Sequence, residues 1–268
     1  MPDGSLSLPA RLCLLAWDPA RPGAADTPRH HHLVRAGALT ELAQRGLLTD
    51  DEGIATPVDL DARTGDAVLD GLLDLVRESL PHGWRTWVRL HARVTFDAVR
   101  EQLVAEGYLR AEKRRVLGVF PSVEYVLARV AAARALREET RYVVEGPAPA
   151  GEVSERDAAV AALAATAQLR AVEPRAVEPR ALESRTHESR THESRTHEPR
   201  THEPRTHEPR THEPRTLGSA EAGALREGRI AELTGRCGDA APGLRKIVGE
   251  VWGAVSAEAA RSVASAGG

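Results

Sequence analysis

The sequence predicts a mainly α-helical fold: a single helical domain with a projecting β-hairpin, interrupted by a disordered pentapeptide-repeat insert. Three observations lead there. Of the 268 residues 41% are hydrophobic, but only four Trp, three Tyr and two Phe are aromatic. Ala, Leu and Val must therefore fill the core, which suits packed helices better than a sheet sandwich. Apolar residues recur at helical spacing in several stretches. Finally, residues 170–216 form a tract almost devoid of apolar side chains, which cannot bury a core.

Bulk charge narrows the function classes. The formal net charge is −3, so no global field draws the chain to nucleic acid or membrane, and any such binding needs a local patch. Cys13 and Cys237 are the only cysteines, too few for a disulfide framework and without partners at zinc-ligand spacing, so both are expected as reduced thiols in a cytoplasmic protein. The opening MPDGSLSLPARLCLLAWDPA is too short and too interrupted in its apolar run for a signal peptide or spanning helix, and no other stretch reaches the roughly 18 apolar residues a span requires.

In chain order, Ser7 and Pro9 start a short helix through Leu12, Leu14, Leu15 and Trp17, which ends at Asp18 and Pro19. A Pro/Gly/Ala-rich loop follows, and His30, His31 and His32 read as its exposed end, not a metal site. Val34 to Thr49 is the organising helix. Val34, Ala38 and Leu42 recur every four residues beside Leu39 and Ala43, Glu41, Gln44 and Arg45 point away, and Gly46 stops the helix in a left-handed turn. Arg35 sits within the apolar first turn. Its guanidinium must pair with a carboxylate, reach solvent or await an anionic ligand.

The next stretch is polar and turn-rich up to Thr64-Gly65-Asp66, where a helix begins with Leu69, Leu72, Leu73, Val76 and Leu80 as its core stripe. Asp66, Asp70 and Asp74 form a solvated row that suits the helix dipole. His82-Gly83 breaks this helix, and Trp87 is expected in the core. Thr95 reads as the cap of a helix that turns Phe96, Val99 and Leu103 inward and stops at Gly107. Residues 108–110 and 116–120 then flank a charged tip, Ala111 to Arg115, as a β-hairpin. Tyr125 to Arg141 reads as an Ala-rich helix, and Ser154 with Asp157 opens another that ends near Leu169.

From Arg170 nine pentapeptides follow, from RAVEP to RTHES and RTHEP. A period of five does not align with a helical face, and six copies carry Pro. Each unit holds one Arg and one Glu, so the tract is neutral. Its His187, His192, His197, His202, His207 and His212 could titrate in mild acid or hold zinc weakly, although a tract expanded by duplication explains them as well. Helical pattern resumes at AEAGALREGRIAELTGRC and in the stripe of Leu244, Ile247, Val248, Val251 and Trp252. The repeats thus interrupt one domain, 1–169 with 217–262, before a short tail at 263–268.

Taken together, RLCLLAWD near the start, ALTELAQRGLL at Ala38 to Leu48, ARTGDAVLDGLLDLV at Ala62 to Val76, VREQLVAEGYL at Val99 to Leu109 and GLRKIVGEVWGAV at Gly243 to Val255 resemble the Golgi phosphoprotein 3 family, in particular its actinobacterial members. The resemblance implies a helical domain with a projecting hairpin used for self-association and a surface that binds phosphatidylinositol 4-phosphate. It carries two headgroup-binding arginines onto Arg35 and Arg100, which can each form forked, charge-assisted hydrogen bonds to phosphate. It also shows departures. The loop from Ala24 to His32 lacks the family's tryptophan, Asp97 stands where a further basic residue is expected, and the basic N-terminal tail is missing.

No phosphate loop, nucleophile elbow or acid–base pair is present, so no enzyme, cofactor or metal is expected. The leading expectation is a cytoplasmic, non-catalytic adaptor on the inner membrane face. It would bind phosphatidylinositol 4-phosphate or another anionic phospholipid through Arg35 and Arg100, aided by Lys113, Arg114 and Arg115 on the hairpin, with homo-oligomerisation through that hairpin. The alternatives are a winged-helix-like DNA-binding regulator, in which Asp97, Glu101 and Glu106 oppose a phosphate-lined groove, and an oligomeric scaffold that needs no lipid.

Overall fold

The computed structural model describes residues 6–17, 26–116, 120–172, 219–237, 249 and 252–257, with only the backbone at 114–116, 120–121, 170 and 219–222. The pentapeptides beyond Val172, their six histidines, and Leu244, Ile247, Val248 and Val251 lie outside the described residues.

Helices dominate. They are α1 (Leu8–Ala16), α2 (Pro28–Gln44), α3 (Ala67–Glu78), α4 (Trp84–Arg89), α5 (Ala92–Ala105), α6 (Val130–Glu145), α7 (Glu155–Thr166) and α8 (Ser219–Arg236). Strands β1 (Leu48–Asp51) and β2 (Ile54–Pro57) pair as one antiparallel hairpin, and β3 (Leu109–Val116) and β4 (Phe120–Leu127) as another.

Helix α2 is the axis of the molecule, packed against α1, α3, α4, α5 and α7. It is buried nearly all round because Leu33, Val34, Ala36, Ala38, Leu39 and Leu42 meet neighbours on every side. Each fully buried leucine there contributes about 2 kcal/mol of transfer free energy. A Cβ on Gly37 would lie 2.6 Å from Leu12 Cδ1 and 2.8 Å from Leu8 Cδ2, so this glycine sets how closely α1 approaches α2. At the far end Gly46 takes φ 71°, and the Leu47 amide donates to the Leu42 carbonyl at 2.9 Å, as the stop signal predicts.

Several local expectations need correction. Helix α2 begins at Pro28, two turns earlier than its apolar pattern suggests, with Thr27 as N-cap. His30 and His31 are therefore buried in its first turns and not in a loop. Glu41 is buried, not solvent-facing, because it accepts the Leu8 amide at 2.7 Å. Helix α3 ends at Glu78 with Pro81 close behind, and Leu80 is 79% exposed instead of completing the stripe. Helix α5 starts at Ala92 with His91 as N-cap, so Thr95 lies inside the helix, buried.

The hairpin β1–β2 was not anticipated. Glu52 and Gly53, both at positive φ, make the tight turn that lets two four-residue strands pair. In β3–β4 the charged residues 111–115 are strand, not tip: Lys113 lies opposite Val123, Arg114 opposite Ser122 and Arg115 opposite Pro121. Arg110, Ala111, Lys113 and Val123 are exposed among the described residues of this ribbon, so charged side chains there cost the strand little. β4 extends to Leu127, so α6 begins at Val130 and not near Tyr125. The chain also stays in the core past Leu169, since Ala171 and Val172 are buried in a 3-10 turn.

Arginines close the helical side of the domain. Arg141 donates to the Ala171 carbonyl, Arg226 to Val172, Arg229 to Val143 and Arg236 to Val153. These carbonyls lie at the ends of helical segments, where no intrahelical amide reaches them.

Candidate functional site

Arg35 lies on the α5-facing half of α2, 1% exposed. Nη2 donates to the Leu90 carbonyl, while Nε has no partner. No carboxylate pairs with it among the described residues. Burial pulls its pKa down to about 10, which leaves it cationic at neutral pH. Of the three fates open to this residue, carboxylate pairing and solvation are ruled out by position. The chain holds a buried positive charge met by a single carbonyl.

Arg100 is differently placed. On α5, with its side chain 13% exposed, it bonds Asp97 through Nη2 at 2.7 Å and Asp26 through Nη1 at 3.4 Å. Its guanidinium also stands 4.1 Å from the Tyr125 ring centroid and 5.6 Å from that of Phe96, a favourable cation–π placement. Asp97 therefore neutralises Arg100 in place of simply opposing a phosphate.

Asp26 ties this cluster together. It bonds His31 Nε2 at 2.6 Å and lies 3.5 Å from Arg93, while His31 packs on Phe96 with ring centroids 4.7 Å apart. Burial would raise the Asp26 carboxyl, but the His31 hydrogen bond and the Arg93, His31 and Arg100 charges outweigh it and hold it below the usual range. The neighbouring Cys13 thiol is pushed up to about 12 by burial, so it is an inert core group.

The structure thus brings Arg35 and Arg100 to the same pair of helices without bringing them into contact. Arg35 ends at the α4–α5 corner, and Arg100 ends in the Asp26–Asp97 cluster. Of the basic hairpin residues, Lys113 is exposed, and the side chains of Arg114 and Arg115 lie outside the described residues.

The sequence reading missed the α4–α5 corner. Helix α4 has Gly83 as its N-cap and buries Trp84, Trp87 and Val88. The Trp84 Nε1 hydrogen bond to Asp50 on β1, 2.8 Å, fixes its rotation. That rotation puts Arg85 and Arg89, four apart on one face, outside. With Thr86, Leu90 and His91 they line a depression of about 470 Å³. Arg89 and His91 meet no carboxylate among the described residues. The signal in the sequence was the i,i+4 arginine pair, Arg85 and Arg89, interleaved with the inward Trp84, Trp87 and Val88.

No curated protein matches the chain. A family model does, that of Golgi phosphoprotein 3 (GPP34), over residues 8–251. It spans both the α2–α5 region and the segment beyond the repeats, and on that match the chain belongs to the Golgi phosphoprotein 3 family.

Proposed function

We propose that this protein is a non-catalytic peripheral adaptor of the cytoplasmic membrane face, which binds phosphatidylinositol 4-phosphate or another anionic phospholipid headgroup. Arg35 carries the proposal. A buried guanidinium without a carboxylate costs several kcal/mol of desolvation, about 3 to 5 when a partner is missing, and a fold that keeps one has a use for its charge. Family membership supports the same reading. No helix among the described residues is long and apolar enough to cross a membrane, so attachment would be at the surface.

Arg100 joins the site only where a headgroup competes with Asp26 and Asp97, so selectivity among anionic lipids is modest. Lys113, Arg114 and Arg115 on β3 add attraction of about 1 kcal/mol each near an anionic leaflet. The same hairpin is the surface through which copies would associate. DNA binding has less support. Phe96, Val99 and Leu103 of α5 are buried, and Glu101 and Glu106 are exposed on the helix that would have to enter the groove.

Co-sedimentation with vesicles of neutral lipid, of bulk anionic lipid and of phosphatidylinositol 4-phosphate at matched charge, at two salt concentrations, tests the proposal. Binding to the anionic vesicles that weakens with salt is expected, and sedimentation with none of them would remove it.

A further inference from the structure

The C-terminal end of α3 carries an exposed apolar belt. Among the described residues Ile54 is 37% exposed, Val58 59%, Leu60 71% and Leu80 79%. Contacts to the backbone gather them. Arg77, three residues before Leu80, donates to the Asp59 and Ala62 carbonyls on either side of Leu60. Gly83, three residues after Leu80, pairs with Ile54 in an antiparallel bridge. Contiguous apolar exposure of this kind marks an interaction surface.

Charge is split across the belt. On the α3 side stand Asp59, Asp61 and Glu78, all exposed, while Arg63 and Arg77 on that side are both held by Asp74. On the α4 side stand Arg89 and His91, exposed beside the depression of about 470 Å³. Arg85 already has a partner, and Arg93 is held by Asp26 and Asp97. Arg89 is thus the cation that this side offers among the described residues.

We infer that this face pairs two copies of the chain about a two-fold axis through the belt, with Asp59 and Asp61 of each copy against Arg89 and His91 of the other. A surface that is acidic at one end, apolar in the middle and basic at the other is complementary to itself after a half-turn. An anionic membrane laid on the same face would meet the carboxylates of Asp59, Asp61 and Glu78, and a uniformly basic partner would meet Arg89. Each of those is a like-charge contact. A second copy offers every group its opposite and covers the belt with a belt of the same kind. The pairing uses neither the β3–β4 hairpin nor Arg35 and Arg100, so it stands apart from the membrane reading.

Sedimentation equilibrium of the full chain over a range of concentrations tests it. A dimer mass that falls toward the monomer on dilution is expected. R89E and D59K/D61K should each raise the dissociation constant by about tenfold, since each sets like charges together. A one-to-one mixture of the two variants should pair again, because each reversed charge then meets its opposite, and the combined variant R89E/D59K/D61K should pair for the same reason. L80S should weaken pairing in both the wild type and the combined variant. A monomer at every concentration overturns the inference, as does association that R89E and D59K/D61K leave unaltered. Loss of pairing in both variants without recovery in their mixture also overturns it. Association lost in K113E and kept in R89E would assign self-association to the β3–β4 hairpin and remove this face from it.

Discussion

Helix α2 buries two charges, and the molecule treats them in opposite ways. Glu41, near its C-terminal end, is saturated: it accepts the Leu8 amide at 2.7 Å, Arg45 at 2.6 Å and Arg156 at 3.4 Å. Arg35, six positions earlier, has one backbone carbonyl and an idle Nε. The first charge is a rivet between α1, α2 and α7. The second has no partner of opposite sign among the described residues, which is why it points to a ligand. The back of the domain sharpens the contrast, since Arg141, Arg226, Arg229 and Arg236 there also meet carbonyls but stand nearer solvent on the outer helices.

The largest effect should come from breaking the rivet. Glu41→Leu leaves the buried Leu8 amide without an acceptor and releases two arginines, and is expected to cost about 3 kcal/mol in urea unfolding. Arg35→Met should behave oppositely. Replacing an uncompensated buried cation with an apolar side chain of similar length is expected to change stability by less than about 1 kcal/mol, or to raise it. A loss equal to that of Glu41→Leu would make Arg35 a second rivet and dissolve the comparison.

Asp26→Asn probes the intermediate case, the charge that is compensated but within reach of solvent. It removes one carboxylate shared by Arg93 and Arg100, and vesicle binding should tighten by roughly fivefold, the equivalent of about 1 kcal/mol per unit charge near an anionic surface. Unchanged binding would mean that the Asp26 cluster faces away from the membrane.

The smallest effect is a pH dependence on the riveted side. Burial would raise the Asp157 carboxyl, but the Ser154 hydroxyl, the Arg11 hydrogen bond and the Arg11 and Arg156 charges hold it below its ordinary 3.8. A depressed carboxyl stabilises the fold above the unfolded value, and that contribution is lost as pH falls through the folded value. Urea midpoints should therefore drop as pH falls below about 4, and more shallowly in Asp157→Asn.

What the sequence disclosed was set by local chemistry. The Gly46 stop, the Ser154 cap on Asp157 at 3.0 Å and the Leu69 to Val76 stripe depend on neighbours within a turn or two, and periodicity reads them directly. Glu41 does not, because its acceptor role is fixed by an amide 33 residues away. His31 looked like loop for the same reason: Phe96, which packs on its ring, is brought to it by the fold. The β1–β2 hairpin was invisible because four-residue strands as polar as LTDD carry no alternation. Arg35 stood out in sequence, since a cation in an apolar stripe is a local anomaly. The α4–α5 corner did not, because the reach of Arg35 to the Leu90 carbonyl is fixed only by the packing of α2 on α4 and α5.

The central claim is that the charge of Arg35 serves a ligand and not the fold. Its most direct test is co-sedimentation of Arg35→Met with anionic vesicles beside the wild type, on protein whose unfolding midpoint has been measured in the same buffer. The expected result is binding weakened at least about fivefold at unchanged stability. Full binding, or a variant that loses stability and binding together, would contradict it.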